Sequence, residues 1–463
     1  MPTNSFDHYP MSWKPDKDLL KRPVYQSLAA LLEQDIANGF LVPGTKLPPQ
    51  RELADFLDLN FTTITRAYKL AESRGLIYAV TGSGTFVAPN AARSVTITAD
   101  HRENLIDLAF VASFEQTNTL VTDAIRNVTD KRYVDQLLNY QDPTGIPHQK
   151  AAALNWMDRF GIQAAPDNVA IVSGAQNALA VVMAALFEPG SRIATDQFTY
   201  ANFIELARIF HVQLIPIAGD GAGMSPRELD RQCRLSAIHG IFLMPSCCNP
   251  TTVMMTEERK NELADVIRKH GLILIEDDIH AFLTADVLPG YGQPLFSMLP
   301  DQTVYICGTS KSICSGLRVA YIAFGDAFRD KIIQAVFNIN VKTSSFDAEV
   351  ITELITSGQV QQIVLEKKRL AEEANEIYRR YFSFNPITEH PLSFYRWLKI
   401  PGHHSATQLE SALKERGVRV FHSDRFLNAS TSADKYLRVG LSSTDTLEEL
   451  EIGLKILKEY LDG

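Results

Sequence analysis

Seven short runs rich in Val and Ile recur between residues 169 and 323, with longer amphipathic stretches between them. They occupy 169–172, 192–194, 212–216, 240–244, 272–275, 304–307 and 319–323. Brief, almost wholly apolar runs suit strands buried on both faces. Parallel neighbours need a crossover, usually a helix, so the rhythm predicts an α/β domain with a mostly parallel sheet. In such sheets ligands bind outside the carboxyl ends of the strands. The residues just after each run are therefore where chemistry is expected. A length of 463 residues leaves room for two or three domains.

Those positions carry a distinctive set. Gly174-Ala175-Gln176 follows the first run. A glycine turn opening a helix offers backbone N–H groups to a phosphate, although alone it reads equally as a tight strand-to-helix turn. Asn249-Pro250 follows the fourth run, where Asn can serve a phenolate or carboxylate, or simply form an Asn-Pro turn. Glu276-Asp277-Asp278 follows the fifth. Carboxylates at a buried strand end need a cation, a metal or a protonated ring nitrogen. His280 is near, but no His/Asp array completes a metal site, so none is expected. Ser310-Lys311 follows the sixth run, and lysine is the residue that forms Schiff bases. Arg318 is suited to bidentate phosphate binding. Each residue could be a solvated surface group. Their joint order matches what a phosphate-bearing pyridine aldehyde requires, namely pyridoxal 5′-phosphate (PLP).

The first ninety residues differ in kind. Val24, Leu28, Leu31, Leu32 and Ile36 have helical spacing, closed by Gly39. Prolines 48 and 49 open a second helix ending near Leu57, and Asn60 caps a third over 61–74. Residues 76–80 and 85–88 alternate like strands joined by Thr81-Gly82-Ser83-Gly84. Three helices and a hairpin describe a winged helix-turn-helix, or else a small helical cap. In the first case Thr62, Thr63, Thr65, Arg66 and Lys69 on the third helix reach bases and phosphates. Arg51 is placed for a phosphate, and Gly82 and Gly84 let the wing approach closely.

A net charge of −9 argues against nucleic acid, but it is unevenly distributed. Residues 14–90 hold nine Lys/Arg and eight Asp/Glu, a net of +1, while 91–463 carry −9. Double-stranded DNA binding by the first part is thus compatible with the whole. Five unpatterned cysteines fit a reducing cytoplasm. No apolar stretch suits a membrane span, and the first residues lack the apolar core of a secretory signal.

The wording of residues 22–88, from Pro43-Gly44 through Leu47-Pro48-Pro49-Gln50-Arg51-Glu52-Leu53-Ala54 to Gly82-Ser83-Gly84-Thr85-Phe86-Val87, resembles the GntR-family DNA-binding domain. Phe61 departs, standing where many members carry an arginine. Residues 105–463 resemble fold-type I aminotransferases. The fusion resembles the MocR subfamily of bacterial regulators. The resemblance implies domains at 1–90 and 105–463, with a linker over 91–104. The second has a parallel-rich sheet with flanking helices and a smaller α+β lobe. It further implies Lys311 as Schiff-base lysine, Asp277 as pyridinium partner, and Asn249 near the ring oxygen. Tyr200 would lie near the ring. Gly174, Ala175, Gln176, Ser310 and Arg318 would hold the phosphate, with Tyr140 reaching that of a partner subunit. Arg438 would grip an effector carboxylate. His280 stands where a tyrosine is usual, and Gly308 where many relatives have a hydroxyl residue. A head-to-tail homodimer on operator DNA, sensing an amino acid or related carboxylate, is the implied state. The alternative is a working aminotransferase with a tethered DNA-binding module.

Overall fold

A computed structural model describes residues 11–80, 82–88, 91, 96–97, 105–284, 291–385, 388–401, 406–428 and 434–463. The chain's first ten residues, Thr81 of the expected hairpin and most of the expected linker lie outside them.

Near the N-terminus, helices α1 (Val24–Ala37), α2 (Gln50–Leu57) and α3 (Phe61–Ser73) precede a hairpin of β1 (Ile77–Val80) and β2 (Gly84–Val87). Asn60 caps α3, accepting from the Thr62 N–H at 2.8 Å. Gly75, at φ +67°, turns the chain out of α3 into β1. Leu28, Leu32, Ile36, Leu53, Leu57, Ile64 and Tyr68 form the core. Lys46 pairs with Phe86 as an antiparallel bridge, so the wing has a third edge.

All seven expected runs form strands of one sheet. They are β4 (Val169–Val172), β5 (Arg192–Asp196), β6 (Gln213–Ile217), β9 (Gly240–Leu243), β10 (Ile273–Asp277), β11 (Thr303–Gly308) and β12 (Ala320–Phe324). Their spatial order is β4-β12-β11-β10-β9-β5-β6, and only β12 runs antiparallel to its neighbours. A two-stranded hairpin, β7 (Gly219–Asp220) and β8 (Gly223–Met224), follows β6. Helices α4 (Asn118–Thr129), α5 (Pro147–Asp158), α6 (Ala175–Leu186), α7 (Ala201–Ile209), α8 (Pro226–Leu235) and α9 (Glu257–His270) accompany these strands. They are followed by the short α10 (Ala281–Thr284), α11 (Leu295–Met298) and α12 (Thr309–Ser312), then α13 (Arg329–Asn340) and α14 (Ser345–Thr356). Alternating side chains of the sheet serve two cores. Val304 and Ile306 face one, Tyr305 and Cys307 the other.

A smaller lobe joins α15 (Gln359–Arg379), β13 (Tyr395–Ile400), α16 (Ala406–Glu415), β14 (Val418–Arg419), β15 (Phe421–His422), β16 (Lys435–Gly440) and α17 (Leu447–Asp462). Strand β3 (Ile106–Asp107) pairs with β14, so the chain enters this part by stitching itself to the last lobe. The N-terminal unit rests on α7. A Cβ on Gly75 would come within 2.8 Å of Arg208 Nε. Ile97 exchanges backbone hydrogen bonds with the Asn202 side chain.

Candidate functional site

The sheet's carboxyl edge gathers most of the residues singled out above. Lys311 lies on α12, directly after β11, and Asp277 is the last residue of β10. Register explains why Asp277 stands apart from its two acidic neighbours. Pleating turns alternate side chains to opposite faces. Glu276 accepts the Leu295 and Phe296 N–H groups at 2.9 and 2.7 Å, and Asp278 accepts the Ser246 N–H at 3.2 Å. Asp277 Oδ1 is buried and meets no partner. Burial, then the Asp278 charge, push its carboxyl up to about 7.

Lys311 Nζ donates to the Val111 carbonyl and, at 3.2 Å, to that of Ala112. Burial, then the Arg438 charge, lower its ammonium to about 7. Lys367, buried on α15, donates to the Lys311 carbonyl at 3.2 Å, the Ile313 carbonyl at 2.9 Å and Ser113 Oγ at 2.5 Å. No carboxylate lies within ion-pair distance of it among the described residues. In sequence it is one cation in the run Lys367-Lys368-Arg369, with nothing to single it out.

Gly174 caps α6 at φ +87° and ψ 166°, with no side-chain cap bond at the helix start. A Cβ there would lie 2.5 Å from Arg318 Nη2, so glycine is what allows the guanidinium to cover this helix end. Arg318 Nη1 in turn donates to Ser310 Oγ at 3.1 Å. Gln176 Oε1 is buried nearby without a partner. The Gly308 departure has a steric reason: a Cβ there would come within 2.8 Å of Ile279 Cγ2 and 3.4 Å of the Ala175 Cβ. Ile279 fills the space a hydroxyl side chain would need.

Arg438, on β16, is almost wholly buried. It donates to Asn249 Oδ1 at 3.0 Å and to the Ala109 carbonyl at 2.7 Å, and its charge sits 4.8 Å from the Phe426 ring centre. Its Nε has no partner. Tyr200 precedes α7, and burial followed by the Asp277 charge pushes its phenol up to about 12. His280 is buried with Nε2 unpartnered. Burial, then Lys311, hold it down to about 3, so it is neutral. Tyr140 alone is not brought here: its side chain is 89% exposed.

On the N-terminal unit Arg51, Arg66, Lys69 and Thr62 are exposed. Two threonine hydroxyls are engaged internally. Thr62 donates to Asn60 Oδ1 at 2.8 Å, and Thr65 donates to Gln50 Oε1 at 2.8 Å, tying α3 to α2. Gly82 takes φ +77° with open space around it. Gly84, at φ +124°, lies under the Lys46 side chain. Arg22, which sequence reasoning passed over, joins Arg66 and Thr63 along a shallow cleft of about 540 Å³.

Residues 106–457 match aminotransferase class I and II, and residues 24–87 match the gntR family of bacterial regulatory proteins. The HTH-type transcriptional regulator YdeF of Bacillus subtilis (strain 168) is 36% identical, over 100% of this chain and 99% of its own length. The probable rhizopine catabolism regulatory protein MocR of Rhizobium meliloti is 23% identical, over 77% of this chain and 76% of its own. An archaeal alanine:glyoxylate aminotransferase superposes with a TM-score of 0.70 at 20% identity, covering 77% of this chain and 91% of that one, a likeness of fold. The chain thus belongs to the aminotransferase class I and II family in the form where that domain follows a GntR winged helix, and is a transcriptional regulator of the MocR type.

Proposed function

We propose that the chain binds double-stranded operator DNA through its winged helix and senses an amino acid or related carboxylate through PLP held on Lys311. One observation carries this reading: Lys311, the unpartnered Asp277 oxygen and the Gly174–Arg318–Ser310 cradle converge on one sheet edge, with Arg438 beside them. A phosphate-bearing pyridine aldehyde fits that donor set. When bound, PLP supplies an electrophilic carbonyl carbon conjugated to a ring that withdraws electrons. Lys311, lowered to about 7, offers a free lone pair near neutral pH. The free Asp277 oxygen accepts a ring N–H. Ser310, Arg318, Ala175 and Gln176 hold the phosphate, the last two through the N–H groups opening α6. Neutral His280 holds the ring-oxygen side, without the charge change that a tyrosine there could undergo. Arg438 and Asn249 present a paired anchor to an effector carboxylate.

Arg22, Arg51, Arg66, Lys69 and Lys46 supply the phosphate contacts, with Thr63 toward the bases. The exposure of Tyr140 supports a head-to-tail homodimer in which it completes the partner's phosphate site. Five free cysteines support a cytoplasmic setting. The test is visible-range absorbance of purified protein with added PLP, in the parent and in Lys311→Ala. A band absent from the variant supports cofactor attachment, and equal spectra refute it. Retardation of DNA from the upstream region of its own gene supports the regulator, and no retardation refutes it.

The intact set of Lys311, Asp277 and Arg438 also favours a second reading, sustained aminotransferase turnover. Multiple-turnover assays with amino donors and keto acids separate the two, since a sensor stalls after one half-reaction.

A further inference from the structure

Beside the PLP edge, but lined by none of Lys311, Asp277, Arg318 or Arg438, lies a second cleft of about 470 Å³. It opens between the ends of β5 and β6, the β7–β8 hairpin and the small-lobe strands β13 and β16. Three rings line one wall. Trp397 stacks on Tyr436 with ring centres 5.0 Å apart, and Phe198 meets both edge-on at 5.2 and 5.7 Å. Asp196, at the end of β5, lines the same cleft.

The cleft's other charged groups are matched. Asp220 is held by Arg259 at 3.0 and 3.1 Å. Glu389 accepts from Thr252 Oγ1 at 3.2 Å and the Asn385 N–H at 3.0 Å, with Arg396 at 3.9 Å. Lys399 pairs with Asp434 at 2.9 Å. Asp196 has no ion pair among the described residues. Its side-chain contact is the Cys248 thiol, 3.7 Å from Oδ2. Arg259, whose charge it feels, is already committed to Asp220 and to the Gly223 and Met224 carbonyls. Burial pushes the Asp196 carboxyl up to about 7, the response of a carboxylate lacking a partner.

We propose that this cleft, lined by the Phe198–Trp397–Tyr436 rings and an unpaired Asp196, binds an organic cation carrying an alkylammonium head. A ring wall and one carboxylate favour a weakly hydrated, bulky cation over a metal ion, which would need several oxygen ligands. An anion would meet the Asp196 charge. Phe426 lies between this cleft and the Arg438 anchor, its ring 5.7 Å from Trp397 and 4.8 Å from the Arg438 charge. The two sites are therefore separate but share one aromatic layer.

The probe is butyltrimethylammonium chloride, which has no N–H and so cannot condense with an aldehyde. Calorimetric titration of the full-length protein at pH 8 is expected to show one saturable site per chain. Affinity should fall at least tenfold in Asp196→Asn, and also on lowering the pH to 6. Butan-1-ol, which carries neither the cation nor a carboxylate that Arg438 could hold, should give no saturable heat. An absent site, parental affinity in a folded Asp196→Asn, or an equal response to butan-1-ol overturns the proposal. If Asp196→Asn does not fold, Tyr436→Ala decides: a tenfold loss supports the site and parental affinity overturns it.

Discussion

Adding one methyl group at Gly174 tests the phosphate cradle. In Gly174→Ala the new Cβ would lie 2.5 Å from Arg318 Nη2 and 2.9 Å from Cζ, about an ångström inside normal contact. The backbone, at φ +87° and ψ 166°, lies in a region essentially reserved for glycine. Holding alanine there costs roughly 1–3 kcal/mol. Arg318 must also swing aside, giving up its 3.1 Å bond to Ser310 and its place over the start of α6. A hydrogen bond to a charged group contributes about 1.5–3 kcal/mol. At about 1.4 kcal/mol per decade, PLP should bind the variant about ten- to a hundredfold more weakly. Fluorescence titration of PLP into apoprotein measures this, and urea unfolding of the same sample measures the backbone cost. Parental PLP affinity would refute the cradle. Weaker affinity with unchanged stability would refute the backbone half of the reasoning.

Other perturbations separate further roles. Lys311 is lowered to about 7 from 10.5, so PLP capture, which uses the neutral amine, should accelerate with pH with a midpoint near 7 and level off above it; stopped-flow absorbance reads this. Asp277 is raised to about 7 from 3.8, so apoprotein should lose its contribution to stability as pH rises from about 4 through 7; chemical denaturation should show a shallower loss in Asp277→Asn. Arg438→Gln should abolish the effector response in DNA retardation while keeping the PLP spectrum. Arg66→Ala, losing one phosphate contact, should reduce the slope of log affinity against log salt by about 0.9. Thr65→Val should instead destabilise the winged helix by about 1 kcal/mol in thermal unfolding, because its hydroxyl ties α3 to Gln50.

The sheet was legible because its strands are short and mostly apolar and, apart from the half-buried edge strand β6, are buried over most of their length, so all seven runs stood out against amphipathic helices. Boundaries slipped by one or two residues where polar residues such as Thr195 and Asp196 extend a strand. Motif order picked out Lys311, Asn249 and Arg318 because each lies in a segment that leaves the carboxyl end of a strand. Spacing alone does not say which of three adjacent carboxylates is free; the family resemblance points to Asp277, and the pleat, which turns it to a different face from Glu276 and Asp278, supplies the reason. Likewise, Gly308 read as a missing hydroxyl until Ile279, contributed by another strand end, supplied the reason. Lys367 and Arg22 were passed over because their partners come from distant segments. Thr62 and Thr65, expected to reach bases and phosphates, instead spend their hydroxyls on Asn60 and Gln50, and such side-chain pairing leaves no mark on periodicity.

If Lys311 takes the cofactor as proposed, Lys367 couples that loading to proton uptake. Its three oxygen acceptors favour a full ammonium, while burial and then the positive charge of Lys311 oppose it, lowering it to about 7. Anything that neutralises Lys311 removes part of that opposition, so Lys367 should bind its proton more tightly once Lys311 has reacted. Linkage works in both directions: a proton on Lys367 disfavours a second one on Lys311 and so keeps the reactive amine free. The two buried ammonium groups thus oppose one another, so the charge state of one sets how readily the other takes up a proton.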